Sequence, residues 1–169
     1  LQADVAYRSA IDQDLRHALE RQELRLFFQP IVNRQCEVVG YEALVRWSHP
    51  ERGLVSPADF IPAAERSGLI VPIGEWVLRE ASLQLMHWQQ ESTHQSTYIS
   101  VNISARQVRR PDFVAATCKV FDETGVDPRL IKLELTESLM HENLDLTVQK
   151  MHQLKQLGVQ FALDDFGTG

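Results

Sequence analysis

The sequence predicts an α/β fold built on a parallel sheet or barrel, and three observations carry that prediction. Strand-like and helix-like segments alternate at roughly thirty-residue intervals over 97–165, the rhythm of a βα repeat. The strand segments read as nearly continuous apolar runs, the pattern of strands covered on both faces. Isolated acids and an asparagine interrupt those runs, one βα unit apart. With 169 residues and 44% hydrophobic content, the chain can bury the core of one domain, and no break in composition divides it.

Residues 5–22, VAYRSAIDQDLRHALERQ, place Ile11, Leu15, Ala18 and Leu19 at helical spacing. They predict a leading or linker helix over 1–22, ahead of one domain over 23–169. LRLFFQPIV (24–32) and VVGYEALVRW (38–47) are rich in β-branched and aromatic residues, and NRQCE between them is short enough for an antiparallel hairpin. After SHPERGLVSP, residues 58–68 predict a short helix. Residues 73–90 predict a long amphipathic one, with Trp76, Leu83 and Trp88 among its buried candidates. Then come a strand at 97–104, a helix at 113–124, a strand at 130–137, a helix at 144–157 closed by Gly158, and a strand at 159–165. There is no internal repeat and no low-complexity segment.

The charge of −6 argues against a broad footprint on DNA or RNA, whose phosphates call for basic surfaces. A local arginine or a metal ion still suffices for a small phosphate ligand. No secretory signal pattern and no run of about 18 apolar residues is present. Cys36 and Cys118 form no Cys-x-x-Cys motif and no disulfide framework, which suits a reducing compartment, so the cytoplasm is the expected location. Any membrane attachment belongs to other segments. The six histidines fall at no ligand spacing.

Glu42, Asn102, Glu134 and the pair Asp164 and Asp165 are embedded in apolar strand sequence. The steps from Asn102 to Glu134 and from Glu134 to Asp164 are 32 and 30 residues, one βα unit each, so the three occupy comparable positions on successive strands. Carboxylates gathered in this way need a positive partner. Oxygen donors without His or Cys suit a hard cation such as Mg²⁺ or Mn²⁺. Asp165 points to the opposite face from Asp164 unless the strand has already bent into its loop. Arg46 shares a face with Glu42 by period two and Gln29 lies on the preceding strand. Both could hold a phosphate or base edge, or be ordinary surface residues. Glu137, at a strand exit, could orient a loop or cap the next helix.

The strings YEALVRW, VNIS, ELTES and LDDFGTG, in this order and spacing and preceded by LRLFFQPIV, resemble the EAL-domain family, the cyclic di-GMP phosphodiesterases of bacterial signalling. The resemblance covers nearly the whole chain. It implies a modified TIM-like (β/α)₈ barrel with an antiparallel first strand, of which about five strands are expected here. It implies c-di-GMP across the C-terminal mouth, two divalent ions, and hydrolysis to linear pGpG. By motif, it makes Glu42, Asn102, Glu134 and Asp164 metal ligands and assigns Asp165 to the second metal. It places Gln29, Leu44 and Arg46 on the substrate and gives Glu137 the loop after the DDFGTG string. It also implies a homodimer as a possible assembly, and the leading helix resembles the connector to an upstream GGDEF or sensory domain.

A degenerate EAL domain that binds c-di-GMP or a protein without hydrolysis is the competing expectation, and the intact acids favour the enzyme. A protein kinase, suggested by Asp-Phe-Gly, fails for want of a glycine-rich nucleotide loop and a His-Arg-Asp loop. The family's downstream Lys and Glu are expected beyond Gly169, since a full barrel takes about 250 residues. A 169-residue chain on its own is therefore expected not to turn over c-di-GMP; metal-dependent pGpG formation by a protein of verified mass 19.3 kDa would overturn this.

Overall fold

Asn33 closes the first hairpin with its own side chain. In the computed structural model, which describes residues 2–90, 97–136 and 144–164, β1 (Leu24–Val32) pairs antiparallel with β2 (Val38–His49). Between them, Asn33 Oδ1 accepts from the backbone N–H of Gln35 at 2.9 Å and of Glu37 at 3.0 Å, the Asx-type turn that replaces ladder bonds at a reversal. The chain then makes a second reversal that the sequence pattern does not predict. Strand β3 (Gly53–Val55) folds back on the end of β2, and His49 Nδ1 accepts from the N–H groups of Glu51 at 3.1 Å and Arg52 at 3.2 Å. Three residues are too few to show a period.

Beyond this hairpin the sheet is parallel. β2 pairs with β4 (Tyr98–Ile103), β4 with β5 (Ile131–Thr136) and β5 with β6 (Gln160–Asp164), in the order β1-β2-β4-β5-β6 with β3 attached to β2. The expected α/β architecture with an antiparallel first strand is therefore present.

The helices are α1 (Gln2–Ala18), α2 (Pro57–Ser67), α3 (Ile70–Gln90), α4 (Ala105–Arg109), α5 (Phe113–Thr124) and α6 (Leu144–Gln156). Ser56 caps α2 by accepting from the Ala58 N–H at 3.3 Å, with Pro57 at a position where its missing N–H costs nothing. α3 begins three residues earlier than the sequence suggests, and its buried stripe runs through Ile73, Val77, Leu78, Ala81 and Leu85. Leu83 lies off that stripe and is 46% exposed, a correction to its expected burial. Trp76 and Trp88 are half-buried, and Trp88 packs edge-on against Phe28 with ring centroids 5.0 Å apart.

The core lies between this helical layer and one face of the sheet. Ala43, Trp47, Ile99, Val101, Ile103, Ile131, Leu133 and Leu135 are buried there, an even number of residues apart along each strand and so on one face. Trp47 also donates Nε1–H to the buried Glu23 carboxylate at 2.9 Å. α1 packs Ile11, Leu15 and Ala18 into the same core, ion pairs from Asp12 to Arg66 (3.3 Å) and from Asp14 to Arg52 (3.0 Å) line its edge, and His49 Nε2 lies 3.3 Å from the Asp14 carboxylate. It ends at Ala18 rather than 22, because Gln22 takes a left-handed φ of 54° in the turn that launches β1. None of the described helices is long and apolar enough to cross a membrane.

The loop after β4 is held from both sides. Ser104 and Gln107 form a capping box on α4: the Gln107 N–H donates to Ser104 Oγ at 3.2 Å, and the Ser104 N–H donates to Gln107 Oε1 at 3.1 Å. The buried Gln107 amide rests directly on Gly74 of α3, where a Cβ would meet its Nε2 at 2.0 Å. Gly74→Ala is therefore expected to expel Gln107 and cost about 1–3 kcal/mol. Thermal unfolding should show a loss of roughly 2–4 °C per kcal/mol; an unchanged Tm would mean that this contact does not hold α4.

Candidate active site

The register of the sheet decides which polar residues can meet. Partners in a ladder share a face, as do residues two apart on one strand. Gln29 pairs with Glu42, Glu42 with Ser100, Asn102 with Glu134, and Thr136 with Asp164. Gln29, Glu42, Leu44, Arg46, Asn102, Glu134 and the Asp164 backbone position thus lie on the face opposite the helix-packed core. The acids are not level, however. Glu134 pairs with Ala162, so Asp164 stands one pleat further along, and Asn102 likewise stands one pleat beyond the partner of Glu42. Parallel neighbours in this sheet are staggered, which equal sequence spacing does not reveal. The side chain of Asp164, and Asp165 and Glu137 entirely, lie outside the described residues.

Strand β4 reaches to both flanking carboxylates. Asn102 Nδ2 donates to Glu42 Oε1 at 2.8 Å, and Ser100 Oγ donates to Glu134 Oε1. A carboxylate can only accept, so the amide must turn its NH₂ to Glu42, leaving Oδ1 as its free acceptor. Ser100 is fully buried and was not among the sequence candidates. The signal was present: a serine inside the apolar run of β4, two residues before Asn102 and so on its face.

A different layer lies one step deeper. The Tyr98 ring covers Gly40, where a Cβ would meet the ring at 2.8 Å, and Lys132 Nζ sits 3.9 Å from the Tyr98 ring centroid. This is a cation–π contact, and it holds the lysine's charge below the carboxylates. Toward the C-terminal strand ends, β2 and β4 pair only from Gly40 to Ala43 and then part. The gap is a groove of about 530 Å³, lined by Leu44, Arg46 and Asn102 together with Ala58, Ile61 and Ile73. Arg46 is half-buried, donates to the Val45 carbonyl at 2.9 Å, and lies 5.7 Å from the Phe27 ring centre. Gln29 is exposed on the neighbouring strand.

The arrangement brings together two carboxylates, an amide oxygen and a guanidinium beside a groove. Such a set can hold a hard cation and an anionic ligand at the same place. Among the described residues, no cluster of three or more His, Cys, Asp and Glu is placed to hold a metal; the third oxygen donor in view is the Asn102 amide.

The sequence model described as EAL domain matches residues 12–169. Cyclic di-GMP phosphodiesterase PdeR of Escherichia coli (strain K12) is 44% identical over 159 residues, covering 94% of this chain and 24% of that protein. The bifunctional diguanylate cyclase/cyclic di-GMP phosphodiesterase MucR of Pseudomonas aeruginosa is 41% identical over 157 residues, covering 92% of this chain and 23% of that protein. The solved structure of the PaMucR phosphodiesterase in complex with c-di-GMP has a TM-score of 0.90 to this chain at 40% identity, over 95% of this chain and 65% of that one. The chain spans about a quarter of the length of these two curated relatives.

Asn102→Asp tests the electrostatics of the row. It sets a second negative charge against Glu42, so in EDTA the Tm is expected to fall by a few degrees, about 2–4 °C per kcal/mol of repulsion. Mg²⁺ or Mn²⁺ should restore more stability to the variant than to the wild type. Equal responses to the ions would show that the two side chains do not share a cation.

Proposed function

The chain belongs to the EAL-domain family, and from that premise we propose that it is part of a cyclic di-GMP phosphodiesterase domain that hydrolyses one phosphodiester of c-di-GMP to give linear pGpG. The observation that carries this reading is the row across β2, β4 and β5, in which Glu42 and Glu134 are both oriented by side chains of the strand between them. The names of PdeR and MucR, two relatives above 40% identity, support the same activity.

The residues fit divalent cations. Glu42, Asn102 and Glu134 offer only hard oxygen, and the amide of Asn102, already turned by Glu42, has its Oδ1 free as a ligand. In this proposal Glu42, Asn102, Glu134 and Asp164 hold one Mg²⁺ or Mn²⁺, and Asp165 serves a second. Two such ions, when bound, polarise the phosphoryl oxygens, lower the pKa of a water and stabilise the leaving oxygen. Arg46 supplies a positive fork to a phosphate oxygen or base edge, Gln29 hydrogen-bonds the ligand from β1, and Leu44 packs against it at the mouth of the groove. Glu137 holds the loop after the DDFGTG string. An upstream GGDEF or sensory domain, reached through α1, belongs to the same proposal. MucR, by its name, combines the two activities. The cytoplasm, where c-di-GMP acts as a messenger, is the proposed location.

The test is incubation of the full-length protein with c-di-GMP and Mn²⁺, with products identified by mass spectrometry. The expected result is pGpG, abolished by EDTA and reduced at least tenfold by Glu42→Gln. Tight c-di-GMP binding with no turnover at any metal concentration would overturn the enzyme reading in favour of a receptor.

A further inference from the structure

Ser100 has none of the roles assigned above, yet its placement is the most constrained of any polar group on β4. It is 0% exposed, sits in register with Glu42 on one side and Lys132 on the other, and donates its one hydroxyl proton diagonally to Glu134 Oε1. Hydroxyls buried in parallel strands are uncommon, because a fully buried O–H must find an acceptor. Here the acceptor is the carboxylate of β5 that faces the candidate site. Lys132, on the same face as Glu134 and one pleat below, is drawn down onto the Tyr98 ring. The serine hydroxyl is thus the contact that orients Glu134 from within the sheet.

We infer that Ser100 is a positioning residue for Glu134: its hydroxyl fixes one carboxylate oxygen so that the other is presented to the divalent-cation site. The inference rests on the metal-dependent reading given above and adds a residue to it. Glu has three side-chain torsions, and a ligand carboxylate left free must be ordered when the cation arrives. A hydrogen bond made at folding removes that cost beforehand, as partners behind metal ligands do elsewhere. On this strand the two donors divide the work, Asn102 orienting Glu42 while also offering its own oxygen, and Ser100 acting only through Glu134.

The experiment is a Mn²⁺ titration of the full-length protein without substrate, followed by electron paramagnetic resonance of the free ion, on wild type, Ser100→Ala and Ser100→Thr. Ser100→Ala is expected to weaken Mn²⁺ binding by about 10- to 100-fold, with its Tm in EDTA lower by a few degrees because Glu134 loses its donor. At saturating Mn²⁺ its KM for c-di-GMP should be unchanged. Ser100→Thr, which keeps the hydroxyl, should bind Mn²⁺ nearly as wild type does. If Ser100→Thr loses the ion as fully as Ser100→Ala, packing rather than the hydroxyl is responsible and the inference fails. Mn²⁺ binding that Ser100→Ala leaves unchanged overturns the inference alone, whereas a wild type that takes up no Mn²⁺ overturns the metal-dependent reading and this inference together.

Discussion

Two half-buried carboxylates on either side of one strand set the central constraint of this molecule. Glu42 and Glu134 stand on β2 and β5, within a sheet whose other face is an apolar core, and a buried polar group without a partner costs about 1–3 kcal/mol or more. Strand β4 meets that cost for both, with Asn102 reaching one way and Ser100 the other. Any shift of β4 by one residue would turn both donors to the core face and bring Val101 and Ile103 to the acids. The parallel register and the polar row therefore depend on each other.

The opposite face keeps β4 in that register. Ile99, Val101 and Ile103 are essentially inaccessible to solvent and pack against the α3 layer, so a slip would also place polar groups in the core. At the C-terminal end of β4, the Ser104–Gln107 capping box stops the strand and starts α4, and the seat of Gln107 on Gly74 ties that turn to α3. Lys150 of α6 adds a further tie by donating to the Val108 and Arg110 carbonyls at 2.6 and 2.7 Å. The residue just before this turn but one is Asn102, so the helical contacts of the turn help fix the position of the row.

The groove follows from where pairing stops. β2 runs on past Ala43 to pair with β1 and β3, while β4 turns into α4, and the space between them opens beside Leu44 and Arg46. α1 packs on the same end of β2, through Ile11, Leu15 and Ala18 in the core and through Asp14 on His49 and Arg52. The partly exposed Asp14–Arg52 ion pair contributes little, on the order of 0–1 kcal/mol, so the strength of this seam comes from the apolar contacts.

Much of this was legible beforehand because it is local or periodic. Hydrophobic runs of strand length, the short NRQCE connection and the thirty-residue rhythm place the main elements within a few residues. Period two puts Glu42, Leu44 and Arg46 on one face, and the motif strings identify the family. What escaped was non-local. β3 is too short to carry a period and exists only because β2 offers it an edge. Leu83 looks buried from the amphipathic pattern, but the stripe that faces the core runs through Ile73, Val77, Leu78, Ala81 and Leu85 and leaves it outside. Ser100 reads as one small residue in a strand, and its role appears only when Glu134 is brought beside it. The sequence by itself determined the order of the main strands and helices, the face on which the acids lie and the chemistry that their oxygens offer. Tertiary structure alone decided the stagger of the strands, the donor for each carboxylate and the opening of the groove, because each depends on which residues of distant segments stand opposite one another.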